Sequence, residues 1–418
     1  MLMKIARQSL WYRRGTAMLT ICALVVSLML LLGIDHLRLE AKRSFTSTVS
    51  GTDLIVGARS GQLNLLLYSV FRLGNATNNM QYQSYQQLKK HPQVAWTIPL
   101  ALGDSHQGFR VIGTTTDYFQ FYRYGQSQPL RLAQGDAFAG VYQAVIGAAV
   151  AKKLGYEIGQ QIILSHGVGA VSFSQHKEHP FTIVGILAAT GTPVDQSVHV
   201  SLESIEAIHV GWQQGAAPVG KVPTLTAEQL ASLQPQTLTA VMVGLKSKVA
   251  TFAVQRQVNQ FKAEPLSAIL PGAALAELWQ IMAMVENILL VVTALVLLAA
   301  LLGMATTLLA AMNERSRELA ILRAVGARPW QLAWLVQLEV MVFTLVSMLA
   351  AFALLTLSLA ALQPWLTAQY GILIRVLPWH AHSHWWLIAV ATAALLVGTI
   401  PAWQAYRRSL AQGLVVRL

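Results

Sequence analysis

Four long runs without Asp, Glu, Lys or Arg punctuate the chain, at residues 15–34, 287–312, 340–362 and 385–406. Each is close to the roughly twenty apolar residues that a helix needs to cross a bilayer, where backbone polar groups must be satisfied within the segment. The pattern predicts four transmembrane α-helices. Between the first two runs the chain turns mixed in polarity and is long enough to bury a core of its own. There, period-two alternation and short apolar runs predict strands at 94–102, 109–113, 162–164, 181–187, 198–202 and 238–245, with a strand or buried run at 145–149. A short helix over 148–154, stopped by Gly155, and an amphipathic helix over 249–261 with Val249, Phe252, Val258 and Phe261 among its apolar positions complete the reading. The fold class expected is a membrane protein with four transmembrane α-helices and a large α+β extracytoplasmic domain inserted between helices 1 and 2.

Composition supports this. The chain is 54% hydrophobic and 11% charged, against roughly 25% charged in soluble domains. The net charge of +12 does not point to nucleic acid, because the basic residues cluster beside apolar runs instead of forming a stripe with interleaved aromatics. Cys22 is the lone cysteine, so neither a disulfide framework nor a cysteine metal site is available. A basic start (Lys4, Arg7, Arg13, Arg14) followed by an apolar core also fits a signal peptide. The core exceeds the roughly 7–15 residues of a secretory segment and no small-x-small cleavage site follows, so an uncleaved first span is expected.

Orientation follows from the short basic flanks. The N-terminus, the 313–339 connection with its four arginines, and the tail with Arg407, Arg408 and Arg417 are all expected in the cytoplasm. The 363–384 loop carries only Arg375, whereas Arg38, Lys42 and Arg43 disagree by falling outside.

The 313–339 connection, NERSRELAILRAVGARPWQLAWLVQLE, is the charge-dense segment between two apolar runs. Helix propensity is high up to Val325, and Gly326 and Pro329 end the element. One reading is a solvated connector, the other a short amphipathic helix at a membrane surface. The pattern Arg317-Glu318, Arg323-Ala324, Gly326-Ala327 and Glu339 resembles the signature loop of MacB/FtsX/LolC-type ABC permeases. VIGAAVAKKLGYEIGQQIIL, FTIVGIL and TPVDQSVHVSLESI, beginning at Val145, Phe181 and Thr192, are similar to the periplasmic core domain of that family. The resemblance covers most of the chain and thins over 60–80 and 211–235.

The resemblance implies a permease subunit of type VII that couples ATP hydrolysis by a separate ATPase to movement of the ectodomain, called mechanotransmission. Arg317, Glu318, Arg323, Gly326, Ala327 and Glu339 are the implied ATPase-coupling residues. The implied partners are an ABC-type ATPase, a second permease copy, identical or related, a periplasmic adaptor or substrate-delivery protein, and the lipid bilayer. No cofactor is expected in this chain, ATP and Mg being bound by the partner ATPase, and no enzymatic activity of its own. The expected setting is the bacterial cytoplasmic (inner) membrane. The resulting division is a cytoplasmic amphipathic segment (1–14), first span and stalk (15–40), MacB-like core domain (41–272), stalk and second span (273–312), coupling loop (313–339), third span (340–362), outer loop (363–384), fourth span (385–406) and tail (407–418). Export or extraction of an amphiphilic, peptide or lipoprotein-like substrate is the expected role. An FtsX-like scaffold that activates an extracytoplasmic partner and a metal- or heme-handling permease are the alternatives.

Other constellations admit both a functional and a plainer reading. GAAPVGKV (215–222) nearly spells a phosphate-binding loop, but Val222 stands where a magnesium-binding hydroxyl is required. All eleven histidines fall on the expected outer side or its border. His380, His382 and His384 form an H-x-H-x-H run suited to zinc or copper, against an interfacial aromatic belt with Trp379, Trp385 and Trp386. In the apolar stretch 63–73, Leu63, Leu66, Leu67, Val70 and Phe71 either contact membrane or substrate, or bury in the ectodomain core. Asp195 reads as a turn cap and Gly147, Gly155 and Gly159 as packing or turn positions.

Overall fold

The computed structural model describes residues 14–167, 176, 178–210, 226, 229–230, 233–314, 321–370 and 374–411. It divides into two compact units, one comprising Ala41–Met282 with Gln363–Leu373, the other Met1–Glu40, Ala283–Leu362 and Ile374–Leu418. Helix α1 (Arg14–Thr48) precedes an ectodomain built on an eleven-stranded mixed sheet. Its strands are β1 (Leu54–Ala58), β2 (Val94–His106), β3 (Phe109–Thr114), β4 (Leu132–Gly135), β5 (Gln143–Ile146), β6 (Gln161–Ile162), β7 (Ser165–His166), β8 (Phe181–Leu187), β9 (Ser197–Ser201), β10 (Ala240–Leu245) and β11 (Leu266–Ile269). They lie in the order β11-β1-β10-β2-β3-β9-β5-β8-β4, with β7 added to β2 and β6 to β8. Only β3–β9 and β5–β8 pair in parallel along this path.

The 13-residue β2 joins two half-sheets. Its first part, from Val94 to Leu100, pairs with β10, and its second, from Ala101 to His106, pairs with β3. The register shifts between Leu102 and Ser105, a bulge of the kind that bends a strand and re-aims its side chains.

Side-chain alternation divides the first half-sheet between two cores. Ile55, Ala240 and Met242 face Leu65 and Leu66 of α2 (Gln62–Ser69). Leu54, Val56, Val241 and Val243 face Tyr85 and Leu88 of α3 (Tyr82–Lys89) and, later in the chain, Val254 and Val258. Burial on both faces is why β1 reads as a continuous apolar run without alternation. Helices α4 (Asp117–Phe121), α5 (Ala148–Leu154), α6 (Leu202–His209) and α7 (Thr251–Asn259) complete the covering layers. A third core joins Val150 of α5 to Ile146, Phe181, Ile183, Val198 and Val200.

The apolar face expected for 249–261 holds at Val258 and Phe261 and needs correcting at its start. Helix α7 begins at Thr251, and Thr251, Val254 and Val258 turn inward, leaving Val249 and Phe252 exposed at 91% and 71%. The short 3-10 turn Lys248–Ala250 resets the phase before the helix starts.

Strand β9 sets a histidine in the core. His199 is buried beside Tyr118, ring centroids 4.8 Å apart, and burial foremost, with Arg72 adding to it, holds its pKa down at about 3. In the unfolded chain it titrates near about 6.5, so between these values the unfolded state binds a proton that the folded state excludes. This contribution to stability is complete above about pH 6.5 and is lost as pH falls toward about 3. A His199→Phe chain should show a flatter fall in unfolding midpoint between pH 7 and 5 than the native chain. An unchanged slope in scanning fluorimetry would assign the acid sensitivity elsewhere.

Beyond the ectodomain come α8 (Pro271–Glu314), α9 (Pro329–Tyr370) and α10 (Ser383–Ala411). Among the described residues, four helices are long and apolar enough to cross a membrane: Arg14–Thr48, Pro271–Met312, Pro329–Leu366 and Ser383–Arg408. At about 1.5 Å per residue, the 35 residues of α1 and 44 of α8 well exceed the roughly 30 Å of a hydrocarbon core. Helix α9 departs from the expected 340–362 limits, starting at Pro329 and continuing through Pro364 to Tyr370. The charge-free run marks the lipid-compatible part of a helix, not its ends. Within this unit Leu24, Leu301, Met304, Val340, Phe343 and Ala394, drawn from all four helices, share one core. Gln337 donates from Nε2 to the Leu395 carbonyl at 2.9 Å, tying α9 to α10.

Candidate functional site

The segment between α8 and α9 is closed at its described end by backbone geometry. Arg317 and Glu318 lie outside the described residues; Arg323, Gly326, Ala327 and Glu339 lie within them. The helix over 321–324 stops at Gly326, whose φ of 100° is a left-handed conformation that suits glycine. The Ala327 N–H donates to the Leu322 carbonyl (2.9 Å) and the Gly326 N–H to that of Arg323 (3.0 Å). These paired bonds form a Schellman closure, satisfying carbonyls that the helix end leaves open. Arg323 also donates from Nη1 to the Ala327 carbonyl at 3.4 Å.

Helix α9 restarts almost at once. Pro329 opens it, and Gln331 Oε1 accepts from the Arg328 N–H at 2.7 Å, the return half of a capping box. Two defined helix ends thus fix a tight turn. Ile321 and Val325, one helical turn apart, are 63% and 81% exposed. The described helix end thus carries one basic side chain, Arg323, beside an uncovered apolar edge. Glu339 is buried within α9.

At the same end of this unit, a groove of about 1110 Å³ between α9 and α10 is lined by Trp330, Trp334, Trp403, Tyr406 and Arg407. The Arg407 guanidinium lies 5.7 Å from the Trp403 ring centre. Aromatic rings beside basic side chains are the composition of a membrane–water boundary.

The opposite end carries the charges that conflicted with the basic-flank rule. Arg38 of α1 is paired with Glu286 of α8 at 2.7 Å, which offsets one of those charges. Glu40 accepts from the Arg375 N–H at 3.2 Å. His36 donates from Nε2 to the Arg375 carbonyl (2.8 Å) and in its neutral form accepts at Nδ1 from His380 Nε2 (2.7 Å).

That arrangement separates the H-x-H-x-H run. His380 turns inward toward His36, while His382 and His384 are exposed and His384 meets Trp385 with ring centroids 5.1 Å apart. The three imidazoles are not gathered into one ligand set, because the turn before α10 sends His380 inward. Of the two readings open for the apolar stretch 63–73, the structure takes the buried one. Leu66, Val70 and Phe71 are buried in the ectodomain core and Leu63 and Leu67 are only partly exposed, so the run packs on the sheet instead of facing lipid. Phe71 also meets Phe45 near the end of α1 (4.5 Å), which meets Trp279 of α8 edge-on (5.7 Å). The 215–222 near-phosphate loop lies outside the described residues. One group among the described residues, absent from the sequence reading, has metal-ligand spacing: Asp104, His166, His176 and His209.

Two family models match the chain. The MacB-like periplasmic core domain matches residues 17–261 and the FtsX-like permease C-terminal model matches residues 290–412. No match is found among curated proteins. Among solved structures, the periplasmic region of MacB from Actinobacillus actinomycetemcomitans is 11% identical, with a TM-score of 0.34, over 58% of this chain and 95% of that one. The extracellular domain of the noncanonic ABC-type transporter YknZ from Gram-positive bacteria is 13% identical, with a TM-score of 0.31, over 52% and 98%. The assignment rests on the two family models, whose order along the chain matches an ectodomain followed by membrane helices. The protein belongs to the MacB/FtsX-type permeases, the membrane subunits of type VII ABC transporters, and is a multi-pass membrane protein with an extracellular domain.

Proposed function

We propose that this permease transmits the work of a separate ABC-type ATPase to its ectodomain, in a homodimer or a pair of related permeases. The observation that carries this reading is the closed turn after Arg323, with Ile321 and Val325 exposed beside it. A docking helix must hold its shape when force is applied, and two capped helix ends supply that. The second support is helix length: α1 and α8 both run unbroken past the thickness of a bilayer. The packing of Phe45 and Trp279 against the ectodomain core gives those helices something to move. Described spans with few ionisable side chains suit a device that moves a domain better than one that conducts an ion. The substrate class is an amphiphile, peptide or lipoprotein extracted or exported on the outer side of the cytoplasmic membrane, received from or passed to a periplasmic partner.

Arg323→Glu reverses a charge on the docking element, and its partly exposed position leaves the core untouched. The variant should assemble in the membrane at native levels and lose most of its stimulation of the partner ATPase in reconstituted vesicles. Full stimulation would remove Arg323 from the coupling surface.

A further inference from the structure

The ectodomain holds a constellation that neither force transmission nor the family assignment uses. Asp104 sits at the bulge of β2, and His166 on β7 is its cross-strand partner. His166 Nδ1 lies 2.9 Å from Asp104 Oδ1, and His209 Nε2, at the end of α6, lies 3.8 Å from the same oxygen. The His176 ring meets those of His166 and His209 edge-on, with centroids 4.6 and 5.3 Å apart, while the His166 and His209 rings stack at 4.6 Å. One potential ligand atom from each of the four residues lies within 4.8 Å of all the others.

We propose that Asp104, His166, His176 and His209 form a binding site for a divalent zinc-class cation in the ectodomain. His209 donates from Nδ1 to the Ile205 carbonyl at 2.7 Å, so in its neutral form Nε2 presents a lone pair toward the carboxylate. A backbone acceptor on the far nitrogen is how proteins aim a metal-binding imidazole. The carboxylate is 3% exposed, and a buried charge is costly unless matched.

Zinc–ligand bonds of about 2.0–2.1 Å in a tetrahedron place ligand atoms roughly 3.4 Å apart, so small side-chain rotations close the observed set. Three imidazoles and one carboxylate suit zinc better than magnesium or calcium, which take oxygen ligands. His166 and His209 side chains, 27% and 30% exposed, give an entry side, whereas Asp104 and His176 form the buried floor. Four protein ligands fill the coordination sphere, so the ion ties the β2–β7 pair to α6 and is not a hydrolytic centre. This site stands independently of the ATPase-coupling reading.

The test uses the full chain in detergent, stripped with a chelator, reloaded with Zn²⁺ alone, dialysed and analysed for bound metal. The native chain should retain one equivalent per chain. His166→Gln and His209→Gln should each lose it, while a chain with His380, His382 and His384 all changed to alanine should keep it. No retained zinc in the native chain, full retention in both single variants, or loss in the triple variant would each overturn the proposal. Cobalt(II) gives a variant-free readout should the substitutions impair folding. Intense visible bands of a four-coordinate ion are expected, and weak six-coordinate absorption or none would contradict the site.

Discussion

Gly147→Val should leave almost no folded protein in the membrane. The Gly147 N–H donates to the Ser197 carbonyl at 2.9 Å, drawing the start of α5 against the turn before β9. A Cβ at this position would stand 2.3 Å from the Asp195 carbonyl oxygen and 2.5 Å from that of Val194. Neither can retreat easily, because the Asp195 carboxylate accepts from the N–H groups of Thr190 and Gly191, each at 2.8 Å, and from the Thr190 hydroxyl. Overpacking typically costs about 1–3 kcal/mol where side chains can give. Backbone against backbone should reach or exceed the top of that range, a large share of the roughly 5–15 kcal/mol that holds a domain together. Gly147→Ala should lower the unfolding midpoint and Gly147→Val should abolish monodisperse protein. Gly272→Ala, with open space around its Cβ at the start of α8, should change neither. Native yield and midpoint in Gly147→Val would show that the turn yields.

How legible these features were depended on how local they are. Helix α5 matches the expected 148–154, ended by Gly155, and β8 matches 181–187. In both cases the signal lies within one element: a short helix with its stop, and an apolar strand bounded by turns. The turn-capping role read for Asp195 was equally local, since its partners are Thr190 and Gly191. Strands β1 and β11 went unread because short strands covered on both faces lose alternation. For 63–73 the sequence left two readings open, since a core helix and a lipid-facing one have the same composition. The cation site was beyond reach, because Asp104 and His166 are brought together only by the register of β7 on β2. Eleven histidines were visible, but the spacing that caught the eye, at 380–384, was sequential, and the cluster that forms is not.

The glycine closure shows the same division. Gly326 and Pro329 could be read as the end of an amphipathic element, but not the paired bonds from Ala327 and Gly326 that lock it, nor the restart of α9 at Pro329 itself. The second large effect therefore concerns which side of the membrane this turn occupies, since an ATPase can dock only from the cytoplasm. The three basic flanks argue for that side, and the Arg38–Glu286 pair removes part of the contrary evidence.

The decisive measurement is labelling of single cysteines in a chain whose Cys22 is replaced by serine, using a membrane-impermeant maleimide on intact cells. Val325→Cys, at an 81% exposed position on the turn, should stay unlabelled until the membrane is opened, whereas Val249→Cys, at a 91% exposed position in the ectodomain, should label at once. Labelling of position 325 from outside would put the turn beyond the reach of any cytoplasmic motor and contradict the account.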